Sequence, residues 1–405
     1  MKVLFVSYGR FDCNSGGHIA RFARGLHAFG HSVAVAASGP EAGAEAFGYA
    51  PYTRLQLERL HSHPAECLAF DGAPPDPYDT VVHAWTPRES VRTAVAALRR
   101  RSRFRLVVHL EDDERVLTAA HLGRSWTDLA LLPGRELDPM ISPGLTHPHR
   151  LSAFLAAADG ITAIVPPLLN YAGGAPALLL QPGADADELP PPLRPQQRAE
   201  LLRGFGVPEH HRIIVYPGNL HAANRAEMFS LYVAVQILRR RGLPVTLLRT
   251  GEDYAPGIDA SFDHLRGRVS RELGRLPRRE LMTVLRLADL FVQPGAPDAF
   301  NRSRLPSKLP ELFVCGKPVI LPRANLGLEV VDGTEAAVLE RGDGVEIANR
   351  AEPLLRDPER AAAMGEAGAR FAARRLDWTR SMLGLERFLR DVVACARVPL
   401  PGAAA

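Results

Sequence analysis

Cysteine is scarce: Cys13, Cys67, Cys315 and Cys395 are the four in 405 residues, with neither disulfide pairing nor metal-ligand spacing. That excludes a disulfide scaffold and fits a reduced, cytoplasmic protein. Long apolar runs are also missing. No stretch approaches the roughly 18 uncharged apolar residues of a membrane-spanning helix. The opening Met-Lys-Val-Leu-Phe-Val-Ser turns polar too early for a signal peptide and reads as a buried first strand. Aromatics are few (7%), and no basic stripe is interleaved with them, which argues against nucleic-acid binding. The net charge is only +4. Arginines gather at Arg99, Arg100, Arg101, Arg103 and Arg105, and again at Arg239 to Arg241. Both groups follow helical patterns, where cations meet the carboxyl end of the helix dipole. Peripheral contact with an anionic membrane or an acidic acceptor is the competing reading.

What is present is alternation. Short β-branched runs alternate with longer helical patterns, the signature of βαβ units and parallel sheets. The first half predicts strands at Lys2–Ser7, Ser32–Ala37, Thr80–Trp85, Arg105–Leu110, Gly160–Val165 and Ala177–Leu180. Its helices are predicted near His18–Phe29, Arg88–Arg100 and His149–Ala158. The segment Gln181–Pro195, dense in Pro, Gly and Asp, reads as an interdomain linker. A second alternation follows. Its strands are Arg212–Tyr216, Pro244–Thr250, Asp289–Gln293 and Pro318–Leu321. Its helices lie near Ala223–Arg241, Pro277–Leu287, Pro306–Cys315, Gly344–Leu355 and Pro358–Arg374. The expected organisation is two Rossmann-like α/β domains, 1–184 and 185–376. A last helix, in 377–405, presents Trp378, Met382, Leu383, Leu385, Phe388, Leu389 and Val392, and its end from Pro399 reads as frayed. Ligands of doubly wound sheets bind at the carboxyl ends of the strands.

Two stretches carry candidate chemistry. After the first strand comes Tyr8-Gly9-Arg10-Phe11-Asp12-Cys13-Asn14-Ser15-Gly16-Gly17-His18, where glycines opening a helix let backbone N–H groups approach an anion. A tight βα turn explains the same glycines. Later comes Pro310-Glu311-Leu312-Phe313-Val314-Cys315-Gly316-Lys317-Pro318-Val319-Ile320, a carboxylate on a helix packed before a strand, or a helix with one exposed Glu.

In combination these stretches resemble glycosyltransferase family 4 and its GT-B relatives. "SGGHIARFARGLHAFGHSVAVAAS" is similar to the family's first βα unit, and "LGRLPRRELMTVLRLADLFVQPG" to the stretch after the base pocket. "PELFVCGKPVILP" resembles its Glu-Ala-Met-Ala-x-Gly-x-Pro-Val element, and "LLLQPGADADEL" its linker. The resemblance implies two doubly wound domains facing across a cleft, with the final helix crossing back to the first. It implies retaining, metal-independent transfer from a nucleoside-diphosphate sugar, with no further cofactor. The acceptor is an unidentified glycan, lipid-linked sugar or small molecule. Glu311 would bind the ribose hydroxyls, backbone near Leu276 the base, and Gly16 and Gly17 the diphosphate. His109 would sit near the reacting sugar.

Two departures stand out. The family's Gly-Arg-Leu-x-x-x-Lys, whose cations neutralise the diphosphate, is here Gly218-Asn219-Leu220-His221-Ala222-Ala223-Asn224. Asn219 and Asn224 replace both cations. The first Glu of Glu-x7-Glu is displaced, with Ser303 at its counted position and Asp298 at the family's distance from Pro294. The inserted loop brings Arg302, Arg304 and Lys308. Lys308, helped by Arg302 or Arg304, is expected to stand in for the missing cations; a solvated loop is the alternative. A GT-B sugar-nucleotide epimerase and a non-catalytic GT-B module remain as rival functions.

Other residues invite readings of their own. Glu111-Asp112-Asp113-Glu114 follows a strand and suits helix capping, acceptor recognition or, last, a metal. The pairs His61/His63, His147/His149 and His210/His211 read as solvated loop histidines. Trp85 is a core indole or a sugar-stacking platform. No convergent ligand set for a metal is legible.

Overall fold

The computed structural model describes residues 1–39, 50–184, 187, 189–254 and 264–395. Residues 185, 186 and 188 of the expected linker, and the tail from Pro399, lie outside them. The chain divides into two compact units. The first comprises 1–182 with 379–405, and the second 183–378.

Unit 1 is built on a parallel sheet of seven strands: β1 (Lys2–Arg10), β2 (Ser32–Ser38), β3 (Thr53–Gln56), β4 (Thr80–Trp85), β5 (Arg105–Leu110), β6 (Gly160–Ala163) and β7 (Ala177–Leu179), in the order β3-β2-β1-β4-β5-β6-β7. Helices α1 (Asn14–Ala28), α2 (Glu89–Arg99), α3 (Glu114–Leu122) and α4 (Pro148–Ala156) belong to its connections. Every residue of β4 is buried, which is why Thr-Val-Val-His-Ala-Trp shows no polar alternation. Unit 2 has six parallel strands: β8 (Arg212–Pro217), β9 (Val245–Thr250), β10 (Ser270–Glu272), β11 (Leu290–Val292), β12 (Val319–Pro322) and β13 (Ala337–Leu339). Their order is β10-β9-β8-β11-β12-β13. The helices of unit 2 needed below are α5 (Arg225–Arg240), α6 (Arg278–Leu287), α7 (Ala299–Arg302), α8 (Leu309–Val314), α9 (Leu326–Glu329), α10 (Gly344–Arg356) and α11 (Pro358–Arg375).

In each sheet the strand order reverses once, between β1 and β4 and between β8 and β11. Connections leave in opposite directions there, so the loops diverge and open a crevice at the carboxyl ends. Three strands escape the sequence pattern: β3, β10 and β13 are edges of three or four residues. Thr-Arg-Leu-Gln and Ser-Arg-Glu bury one residue each, so neither shows an apolar run.

The last helix, α12 (Trp378–Ala394), lies from Thr379 onward in unit 1. Leu385 and Leu389 are completely buried, and Phe388 and Val392 nearly so, whereas Leu383 of the expected apolar face is exposed. Glu386 lies 3.3 Å from the imidazole of His31, in the turn before β2. Replacing Leu389 by Ala removes a side chain with no exposure and should lower stability by about 2–4 kcal/mol. Urea unfolding reports this; a loss under about 1 kcal/mol would place the helix off the core.

Candidate functional site

In unit 2 the reversal lies after β8 and β11. β8 delivers Gly218 through Asn224, and β11 delivers the loop 293–308. Lys308 reaches back from that loop, its ammonium 3.6 Å from the centre of the Tyr216 ring. A Cβ on Gly218 would stand 2.6 Å from the Lys308 nitrogen, so glycine there makes room for the cation. Among the described residues Lys308 has no hydrogen-bond or ion-pair partner. Burial pulls its pKa well below the ordinary lysine value, and Arg304 pulls the same way, against Glu227.

The asparagines at the two departures both hold backbone. Asn224 is 3% exposed; its Oδ1 accepts from His221 N at 2.9 Å and its Nδ2 donates to Asn219 O at 3.0 Å. Asn219 Oδ1 accepts from Glu252 N at 2.9 Å. Both amides therefore shape the turn after β8. Two expectations need correcting. Arg304 is paired with Glu227 at 2.8 Å, so its charge is already matched although it still acts on Lys308, and Arg302 is exposed. Asp298 caps α7, its Oδ1 accepting from Asn301 N at 2.8 Å and Asn301 Nδ2 at 3.3 Å. That carboxylate orders the inserted loop.

Glu311, in the first turn of α8, is half-buried and bound by Arg278 of α6 at 2.6 Å. Leu276, two residues before Arg278, is half-buried as well. The carboxylate expected to hold a diol thus already carries a guanidinium.

Unit 1 gathers a second cluster at the ends of β1, β4 and β5. The N–H of Gly16 donates to Cys13 Sγ at 3.3 Å and that of Gly17 to Cys13 O at 3.0 Å. Both amides help to start α1. A Cβ on Gly16 would sit 2.2 Å from Phe11 O, so the close turn itself requires this glycine. The Glu111 carboxylate accepts from Ser15 Oγ and lies 3.5 Å from His18 Nδ1. Burial alone would raise its pKa, but His18 and Ser15 outweigh it and bring it down to about 2. His109 is 1% exposed and stacks on Trp85 at 3.8 Å. Its Nδ1 is 2.9 Å from Thr162 Oγ1, which is also 3.0 Å from His83 Nε2. Burial lowers the pKa of His109 to about 3. Trp85 is a core indole, 1% exposed among Phe5, Phe22 and His83.

The acidic run does several jobs at once. Glu111 serves the cluster, Asp113 caps α3, and Glu114 receives Arg88 at 3.0 Å and Thr146 at 3.0 Å. Among the described residues no three His, Cys, Asp or Glu side chains gather as metal ligands, and no helix is long and apolar enough to cross a membrane. His147 is not a solvated loop residue; it is 2% exposed, caps α4 and meets Asp138 at 2.8 Å. Sequence reasoning missed Glu227, Asn301, Arg278 and His18. All four are joined to their partners by folding alone, although Glu227 in the first turn of α5 was visible as a helix-start acid.

Glu111 has its pKa lowered by folding, so its stabilisation is complete above the unfolded value near 4.5 and is lost as pH falls toward 2. Glu111→Gln should therefore be less stable than the parent above pH 5, roughly, and the gap should close in acid. Thermal unfolding across that range measures it, and a gap independent of pH would remove the buried carboxylate from the account.

Comparison with known proteins places this geometry. Residues 211–357 match the family described as glycosyl transferases group 1. The chain is 26% identical over 221 residues to a D-inositol 3-phosphate glycosyltransferase of Corynebacterium kroppenstedtii, covering 52% of this chain and 47% of that protein. It is 30% identical over 215 residues to a GDP-mannose-dependent alpha-(1-6)-phosphatidylinositol monomannoside mannosyltransferase of Mycolicibacterium smegmatis, covering 49% and 52%. The chain spans about half the length of the curated relatives it matches. Sucrose-phosphate synthase from Thermosynechococcus elongatus superposes with a TM-score of 0.70 at 15% identity, over 98% of this chain and 100% of that one. Residues 211–357, which hold Gly218, Lys308 and Glu311, match glycosyl transferases group 1, and the chain as a whole has the GT-B fold.

Proposed function

We propose that this protein moves a sugar from a nucleoside-diphosphate sugar to an acceptor hydroxyl, with retention at the anomeric carbon and without a metal ion. The observation that carries the reading is Lys308: an enclosed ammonium with no ion-pair partner among the described residues, set against Gly218 where the strand order of unit 2 reverses. It lies inside the segment matched to glycosyl transferases group 1. A departing diphosphate needs a preorganised cation where its charge develops, and Lys308 supplies one. The printed names of the two curated relatives, both glycosyltransferases and one GDP-mannose-dependent, support a nucleotide-linked donor. They favour transfer over epimerisation.

Each group then has a task. The glycosidic bond to the diphosphate breaks as the acceptor oxygen bonds to the anomeric carbon on the same face. Negative charge grows on the leaving phosphate, and Lys308 stabilises it where it develops. The ribose diol displaces Arg278 and donates to both oxygens of Glu311. Backbone near Leu276 holds the base. His109, with a pKa near 3, is too weak a base to take the acceptor proton, so the leaving phosphate takes it. The cluster of Ser15, His18 and Glu111 in unit 1 serves the acceptor. The bound acceptor is a glycan, a lipid-linked sugar or a small molecule, and the reaction runs at the cytoplasmic side, in solution or at the membrane surface.

Turnover should survive chelator, and Lys308→Ala should lower kcat by about 10²–10³, the usual scale for one lost transition-state donor. Release of nucleoside diphosphate from a panel of nucleotide-sugars reads both. Near-normal turnover in Lys308→Ala, or restoration of activity by Mg²⁺ after chelation, contradicts the mechanism.

Glu311→Gln should weaken binding of the matching nucleoside diphosphate by about 1.5–3 kcal/mol, the range for hydrogen bonds to a charged group. Calorimetric titration measures it. An unchanged affinity would take Glu311 out of the ribose site.

A further inference from the structure

The inserted loop that carries Lys308 is held by one buried carboxylate that no motif marks. Glu227 stands in the first turn of α5, beside the reversal point. Its Oε1 accepts from Asn301 Nδ2 at 2.6 Å and its Oε2 from Arg304 Nη2 at 2.8 Å. Asn301, 2% exposed, closes the triangle: its Oδ1 accepts from Arg304 Nη2 at 2.9 Å and Nε at 3.2 Å. The loop backbone is fastened as well. Asn325, the one non-glycine described residue with positive φ (50°), donates through Nδ2 to Asn301 O at 2.5 Å and also to Arg304 O. The next turn of the loop, four residues beyond Arg304, is Lys308.

We propose that Glu227 is a positioning residue for the donor site: by anchoring Asn301 and neutralising Arg304 it fixes the loop 298–308 and keeps Lys308 charged over Tyr216. The inference rests on the reading that Lys308 meets the donor diphosphate. Two effects follow from one carboxylate. The first is geometric, because Glu227 is the side chain of α5 to which both ends of the Asn301–Arg304 pair are tied. The second is electrostatic. Lys308 is faced by Arg304 from its own loop, Arg249 from β9, His221 from the turn after β8 and Glu227 from α5. Arg249 is already matched by Glu272 and by Asp253 at 2.7 Å. Burial pushes His221 down to about 4, so it is neutral at working pH. The balance at Lys308 is therefore set by Arg304 against Glu227. In a poorly solvated site, removing one member of such a pair changes the neighbouring cation far more than it would in water.

The test is the alkaline limit of nucleoside-diphosphate binding. UDP and GDP are titrated calorimetrically into the full chain from roughly pH 6 to 9.5, which brackets a lysine lowered by burial. Whichever nucleotide binds is carried forward. Its affinity should fall at alkaline pH as Lys308 loses its proton, and Lys308→Ala should bind weakly with no such limb. Glu227→Gln should move the limb to lower pH by about one unit, roughly tenfold weaker binding on the slope. Arg304→Gln should move it to higher pH, and the double variant Glu227→Gln/Arg304→Gln should return it near the parent position. Shifts of opposite sign separate charge balance from loosened packing, which would weaken both single variants alike. If Glu227→Gln shows no cooperative thermal transition, the upward shift in Arg304→Gln carries the test. Limbs that stay fixed, or move the same way in both single variants, overturn the inference and leave the donor reading standing. A parent protein that binds neither nucleotide, or binds one with no dependence on Lys308, overturns the donor reading and this inference together.

Discussion

An ammonium held in a half-buried place, with no ion-pair partner among the described residues, is costly for a folded protein, and the structure around Lys308 is arranged to tolerate it. Taking a cation out of water is unfavourable unless something replaces the lost hydration. Here the replacement is partial. The face of Tyr216 offers its quadrupole at 3.6 Å, and Gly218 yields the space a side chain would fill. Glu227 is near enough to favour the charged form, yet its oxygens are committed to Asn301 and Arg304. The lysine is therefore held ready but not satisfied. An incoming anion would complete the arrangement.

The same division appears in how much could be read from the sequence. Burial along most of β1, β4, β8 and β9 leaves short runs rich in β-branched and apolar residues without polar alternation, so their positions and the parallel architecture were legible. The edge strands β3 and β10 were not, because one buried residue each leaves no pattern. Within the site, Gly218, Lys308 and Glu311 were found through their place in motifs and order along the chain. Their partners were hidden for a different reason. Glu227 and Arg304 are 77 residues apart, Ser15 and Glu111 are 96 apart, and only the parallel sheets bring them to a common end. Charge pairing over that distance has no sequence periodicity.

Asn219 and Asn224 stand where the resembled family carries two cations, and Gly16 and Gly17 open a helix after a strand. In a tight βα turn, however, the backbone donors and acceptors must be paired before anything else can be, since an orphaned buried amide is expensive. Short side-chain amides and a thiol cap meet that demand here. Loop position nominates residues for binding, but the turn's own hydrogen bonding claims some of them first.

The two units solve the problem of a polar crevice by opposite means. At the end of sheet 1 the polar side chains are paired with one another: Glu111 with His18 and Ser15, Glu114 with Arg88 and Thr146, Asp113 with Arg115 and Tyr171. His109 stays neutral, and the Thr162 hydroxyl lies within hydrogen-bond distance of both its ring and that of His83. At the end of sheet 2, Lys308 has no ion-pair partner among the described residues. A network of paired side chains presents hydrogen-bond donors and acceptors, which suits a neutral polyhydroxyl compound. An unmatched cation suits a phosphate. A group that breaks away as a diphosphate leaves the sugar neutral and carries the charge with it, so the uneven distribution of charge between the two sheets follows the chemistry proposed for the chain.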